Sequence, residues 1–357
     1  MNEQYRPRGM PKGIEFPLGR EDGKKPVGRD AEDLTVDDIE RQLRELGMVR
    51  NSKSILSRRG FLLGATAVNA AALTGGGALM YKSFQYEDSL IAKLLRDAED
   101  EEYSFDELVV EAKRYLKENY GMPLAVGPDK DNEQILGDKA TPLEAYRISL
   151  RTLLGEVSRY PPEMIRNATS RKVLPIRIVQ NPAYKIGSET KRAAGLAFPW
   201  PIRRLALDSS RSVMFQQGTI HHEIAHVLTF GKYNEWKQRW IALHQPLTNE
   251  PYSKTHEQQR PHDDSGQEYF LTAYASTDPF EDIAVCAEHI MVPILHIKFL
   301  QKIKNAKNPA AKRILQAKYN DIKDLYRELS GGKMNDDYWR AIVIEGLQKL
   351  KATGGRP

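Results

Sequence analysis

The sequence predicts an α+β fold: a small twisted sheet feeding one buried, motif-bearing helix, with helical lobes before and after it. Three observations carry the prediction. Short apolar runs at residues 171–180, 193–198 and 203–208 read as strands separated by turn residues. The stretch TIHHEIAHVLT at 219–229 follows and reads as a buried helix, with apolar faces from Val213, Met214, Phe215, Ile220, Ile224, Ala225, Val227 and Leu228 and a stop at Gly231. Long amphipathic patterns before residue 161 and after residue 290 read as further helices.

Composition narrows the function classes. The 357 residues hold 53 Lys+Arg against 48 Asp+Glu, a net charge of +5. The excess is spread out and accompanies no helix-turn-helix, finger or RNA-binding signature, so nucleic acid is not an expected partner. The single Cys286 excludes an intramolecular disulfide framework and a Cys₂His₂ structural zinc site.

In chain order, residues 1–54 form a basic leader. Its first 34 residues, rich in Gly, Pro and charge, are expected to be disordered. A short helix is expected over 36–46, capped by Thr35 and ended by Gly47. Residues 55–82 begin with Ser57-Arg58-Arg59-Gly60-Phe61-Leu62-Leu63 and continue uncharged to Tyr81. Paired arginine, then Phe-Leu, then a Gly/Ala-rich apolar run resembles a twin-arginine (Tat) signal. The resemblance implies the Tat translocase as a partner and a periplasmic or extracytoplasmic destination. No A-x-A cleavage site follows, and 60–81 is long enough to span a bilayer and remain as an inner-membrane anchor. Lys53, Arg58 and Arg59 would keep its N-terminal side cytoplasmic.

Residues 83–161 read as a helical lobe. Helices are expected over 85–100 and 105–119, the second with Leu108, Val109, Ala112, Tyr115 and Leu116 at helical spacing and Gly121 at its end. A loop over 121–140 leads to the capping box Thr141-Pro142-Leu143-Glu144. That box opens a helix to about Tyr160, burying Leu143, Tyr146, Leu150, Leu153 and Val157 and stopped by Pro161-Pro162.

Residues 162–357 read as the main domain. Pro175 marks the strand at 171–180 as an edge or a bulge. An edge strand of the small sheet that precedes the motif helix could pair with an extended peptide. After Gly231 come Trp236, Trp240 and a polar loop, 245–266, whose His256, His262, Asp263 and Asp264 lack metal-ligand spacing. In TAYASTDPFEDIAVCAE, 272–288, Asp278 is the expected N-cap, Pro279 the first helical residue and Glu281 the third. Helices over 290–303, 310–328 and 335–350 complete the chain.

The chemistry lies in H-E-x-x-H. His222 and His226, at i and i+4, share one helix face and can point two imidazoles at one Zn²⁺, with Glu223 placed as general base. His221 has Ala225 at i+4 and is not the natural pair. A catalytic zinc takes a third protein ligand. Glu281, on the first turn of its helix, could supply it or could merely cap that helix. Asp282 is the alternative ligand or a carboxylate orienting a histidine, and Glu288 and His289 read as supporting residues.

HHEIAH followed by AYASTDPFEDIA resembles the gluzincin metallopeptidases of the anthrax lethal factor type, and bacterial proteins classed as zinc metallopeptidases with H-E-x-x-H…Y-x(6)-E; Tyr274 and Glu281 are seven apart. The resemblance covers roughly 162–292. It implies a zincin-like core, one Zn²⁺ per chain on His222, His226 and Glu281, Glu223 as general base, Tyr274 as donor to the oxyanion, and a polypeptide substrate. Val285 departs from it, because relatives commonly carry a second acid one turn after the ligand glutamate. The expectation is therefore a zinc-dependent peptidase. The alternative is a turnover-deficient zincin-fold binding or scaffold protein tethered at the membrane.

Overall fold

The computed structural model describes residues 104–127, 143–168, 172–186, 189–192, 195–198, 204–245, 251–253 and 268–352, together with Arg41. The leader and the paired-arginine segment lie outside the described residues. So do the helices expected at 36–46 and 85–100, Arg41 aside, and the loop residues His256, His262, Asp263 and Asp264.

Helix α1 (Phe105–Tyr115) is opened by a capping box: Ser104 Oγ accepts from Glu107 N, and Glu107 Oε2 accepts from Ser104 N. A π-helical turn, Leu116–Tyr120, extends it and ends at Gly121. That glycine has φ +65°, and a Cβ there would lie 2.3 Å from Lys172 O, so only glycine fits. Strand β1 (Leu124–Val126) follows, where the sequence predicted only loop. Three residues carry no periodic signal, and the strand exists because it pairs in parallel with a distant partner, Leu124 opposite Ile176. Helix α2 (Leu143–Val157) matches the expected stripe except at Leu143, which is exposed. Pro161-Pro162 does more than stop a helix: Pro162 begins α3 (Pro162–Asn167), a position where its missing N–H costs nothing.

Strands β2 (Ile176–Val179), β3 (Ala183–Ile186), β4 (Glu189–Arg192), β5 (Gly195–Phe198) and β6 (Arg204–Asp208) follow. Four form one mixed sheet in the order β1-β2-β6-β5: β1, β2 and β6 run parallel and β5 antiparallel to β6. β3 and β4 pair as a separate hairpin. β2 is an interior strand, contrary to the edge expected from Pro175. The proline falls just before the ladder and needs only its carbonyl, which accepts from Leu205 N at 2.8 Å. Leu205, Ala206 and Leu207 are all buried, as befits a strand covered on both faces. Asp208 at its end accepts from Asn181 N and Ser210 N, 2.9 Å each, fixing the turn into the next helix.

Helix α4 (Val213–Thr229) carries the motif. Its centre is buried, but Met214 and Phe215 in the first turn are exposed, contrary to expectation. α4 ends at Thr229, just before Gly231 as expected, but the chain does not become a loop: a 3₁₀ turn, Phe230–Lys232, leads into α5 (Tyr233–His244). The unassigned α5 buries Trp236, Trp240 and His244, each four residues from the last. The 3₁₀ turn Tyr274–Ser276 precedes α6 (Pro279–Met291), α7 (Pro293–Asn305), α8 (Pro309–Leu329) and α9 (Asp336–Ala352). The helix expected to start at 290 is instead split at Val292, where α6 and α7 meet at 113° and Pro293 starts afresh. Among the described residues no single helix is long and apolar enough to cross a membrane.

The fold is thus mixed α+β, mostly helical around a small sheet. One apolar cluster runs from Leu108 in α1 to Leu350 in α9, and α4 lies at its centre, packed by α2, α6, β5 and β6.

Candidate metal centre

α4 presents His222 and His226 one turn apart, with ring centroids 4.8 Å from each other. α6 crosses it and begins beside them. Its cap is Asp278, whose carboxylate accepts from Phe280 N at 2.8 Å. Glu281 is thereby free of capping duty and faces the histidines. Its Oε2 lies 3.1 Å from His222 Nε2 and 3.6 Å from His226 Nε2. One donor atom from each of the three side chains falls within 4.8 Å of the others, and all three residues are buried.

The electrostatics are those of a site wanting a cation. Burial disfavours charge on His222, but Glu281 and Glu288 outweigh it and raise its pKa. Burial pushes Glu281 up, and His226 and His222 more than reverse that, so it stays ionised. Glu223 is fully buried and pushed up to about 8 by burial, with His222 opposing and Glu281 and Glu288 reinforcing. Neither Glu223 oxygen has a hydrogen-bond partner, and neither ring nitrogen of His226 has one. Buried polar atoms left this way cost about 1–3 kcal/mol each. Two imidazole nitrogens and a carboxylate are a three-ligand zinc set, and a metal ion would satisfy His226 Nε2. The residues present fit the ion.

Other candidate residues sort clearly. Tyr274 is half-buried, with its ring centroid 6.2 Å from that of His222. Asp282 faces away from the histidines, where Lys318 Nζ lies 2.6 Å from its Oδ2 and the Tyr252 hydroxyl donates to the same oxygen. His289 hydrogen-bonds through Nδ1 to Val285 O, 2.8 Å away. Glu288 reaches the cluster from two turns along α6, its Oε2 3.5 Å from His222 Nδ1.

Sequence reasoning missed the support behind His221. Its Nε2 meets Glu156 Oε2 at 2.9 Å, and its Nδ1 meets the Tyr160 hydroxyl at 2.7 Å. Arg159 Nε donates to Glu156 Oε2, and its Nη1 and Nη2 donate to the two oxygens of Glu345. No local signal announces a network joining residues 186 positions apart. The one available hint was Glu156 and Glu345 on otherwise apolar helix faces.

The fold and site define a mixed α+β protein with a buried two-histidine, one-glutamate group able to hold a metal ion. No protein-family profile matches the chain, and no curated protein matches it significantly. A solved structure from Bacteroides caccae, described as a "putative zinc-binding metallo-peptidase", is similar to it at 15% identity, covering 68% of this chain and 94% of that one with a TM-score of 0.43.

Proposed function

We propose that the chain is a zinc-dependent peptidase. The carrying observation is the convergence of His222, His226 and Glu281 from two helices beside an unpartnered, buried Glu223. His222 Nε2, His226 Nε2 and Glu281 Oε2 would hold the metal. A bound zinc supplies Lewis acidity toward a substrate carbonyl and toward water.

Glu223 is the general base. Burial raises its affinity for a proton above that of an exposed carboxylate, and from this position it would take a proton from attacking water and return it to the leaving amine. Tyr274, ring to ring with His222, is proposed to donate its hydroxyl proton to the developing oxyanion. The substrate is a polypeptide, and β5, bordering the sheet and packed on α4, offers its outer edge to an extended segment. The Tat-like segment adds the proposal of export through the Tat translocase to the extracytoplasmic side, with residues 60–81 as a retained anchor.

Glu223→Ala in the purified full chain tests the central claim. Zinc content near one per chain in both proteins, with peptide hydrolysis lost only in the variant, is the expected result. A variant that hydrolyses peptides like the wild type would remove Glu223 from the chemistry. Retained partner binding in a chain without turnover would favour the scaffold alternative.

A further inference from the structure

We propose that Glu288 is the positioning residue for His222, and that Gly218 is the notch in α4 that admits it. The inference rests on the zinc reading above and deepens it.

α6 brings one carboxylate toward each ring nitrogen of His222, hydrogen-bonded at Nε2 and at ion-pair distance from Nδ1. Glu281 Oε2 stands 3.1 Å from Nε2, and Glu288 Oε2 stands 3.5 Å from Nδ1. The two glutamates are seven residues apart, two turns on one face of α6. When Nε2 binds a metal, Nδ1 must carry the proton, and a carboxylate facing that N–H fixes both tautomer and ring plane. Val285, one turn after Glu281, is buried in the apolar core and cannot do this. The acid stands one turn farther along.

Reaching His222 from there requires a gap in α4. A helical side chain leans back over the preceding turn, so the His222 ring lies over the turn that contains Gly218. A Cβ on Gly218 would sit 2.5 Å from Glu288 Oε1, 3.0 Å from its Cδ and 3.3 Å from its Cγ. Glycine in mid-helix costs about 0.5–1 kcal/mol relative to alanine. Its presence one turn before a metal ligand is explained by the carboxylate that fills the space. The obstruction meets the far end of a flexible side chain, so Gly218→Ala should fold and displace Glu288 rather than disrupt the helix.

The test is zinc affinity of the full chain, by competition with a chromophoric chelator, beside the thermal midpoint of the metal-free proteins. Glu288→Gln and Glu288→Ala should each weaken zinc about 10–100-fold. Gly218→Ala should weaken it comparably, and should cost nothing more in a Glu288→Ala background, because both act through one carboxylate. Metal-free midpoints should stay within a few degrees of wild type. Unchanged zinc affinity in Glu288→Ala overturns the proposal, as does a lowered metal-free midpoint with affinity intact, the mark of a merely structural residue. A Gly218→Ala penalty that persists without Glu288 overturns the notch. Should Glu288→Ala fail to fold, Gly218→Ala alone decides, since wild-type affinity there refutes the proposal. Failure of the underlying reading looks different: the wild type itself takes up no zinc.

Discussion

Gly195 is where β5 and α4 touch, and under the proposed peptidase reading Gly195→Ala should damage turnover without touching His222, His226 or Glu281. A Cβ at 195 would lie 2.2 Å from Thr219 Cγ2, 2.9 Å from Glu223 Oε1 and 3.2 Å from Glu223 Cγ. Ordinary contact begins at 3.4 Å, so β5 and α4 must part by about 1.2 Å at Thr219. Thr219 cannot turn its methyl aside cheaply, because its hydroxyl donates to Phe215 O at 3.0 Å and holds the rotamer. Overpacking of this kind costs about 1–3 kcal/mol. At about 2 kcal/mol, the thermal midpoint of a domain this size should fall by about 4–8 °C. The Glu223 carboxylate is displaced by the same insertion, and a misplacement of about 1 Å costs on the order of 10²-fold in rate. Zinc content should be unchanged, since the crowded atoms belong to Thr219 and Glu223. Thermal unfolding, elemental analysis and peptide hydrolysis on the same preparation give the answer. A Gly195→Ala protein with wild-type midpoint and wild-type turnover would refute the reasoning. Loss of zinc would show that the strain had reached the ligands.

Tyr274→Phe should keep its zinc and lose about 10²–10³ in kcat with KM little changed; undiminished kcat would remove Tyr274 from the oxyanion role. Lys318→Met leaves Asp282 buried and unpaired, and should cost about 3–5 kcal/mol in denaturant unfolding. Adding Asp282→Leu should recover part of that cost, and a double variant as unstable as the single would contradict the pairing argument. Burial alone would raise Glu156, but Arg159 and His221 bring it from 4.5 to about 2. Its folded pKa lies below its unfolded one, so its stabilisation is complete above pH 4.5 and is lost as pH falls toward 2, a difference of about 3 kcal/mol. Glu156→Gln should therefore flatten stability against pH across that window, and an unaltered acid limb would count against it.

What the sequence made legible follows the range of the interactions. The motif helix and the α6 start were readable because capping and i, i+4 spacing are local: Asp278, Pro279 and Glu281 occupy the positions their order implies. Helices α1, α2, α8 and α9 announced themselves through apolar stripes sustained over several turns. β1 was illegible because three residues become a strand only against β2, some 50 positions away. Pro175 misled because a proline's effect depends on whether its missing N–H falls inside the ladder, and here it falls just outside. α5 could have been found from Trp236, Trp240 and His244 at successive four-residue steps. The β3–β4 hairpin had only a turn signal, Gly187-Ser188, because Glu189-Thr190-Lys191-Arg192 carries no apolar residue to alternate. Glu281's choice between capping and facing the histidines depended on how α6 crosses α4, which no spacing within either helix encodes.

The two helices that meet at the centre are anchored by one device used twice. On α4, His222 faces the cluster while its neighbour His221 is held from behind by Glu156 and Tyr160, with Arg159, Glu345 and Lys349 completing the charge balance. On α6, Glu281 faces the cluster while its neighbour Asp282 is held from behind by Lys318 and Tyr252. Successive helical residues point about 100° apart, so a residue facing the cluster and its neighbour serve different sides of the helix. Buried ion pairs contribute little net stability against apolar replacements, which leaves geometric specificity as the stronger reason to keep two of them here. Each fixes the rotation of a helix about its own axis at the residue beside a ligand, where a few degrees decide whether three donor atoms converge. Replacing a network by well-packed apolar residues should then leave the fold stable while loosening metal binding, an outcome that a purely stabilising role does not predict.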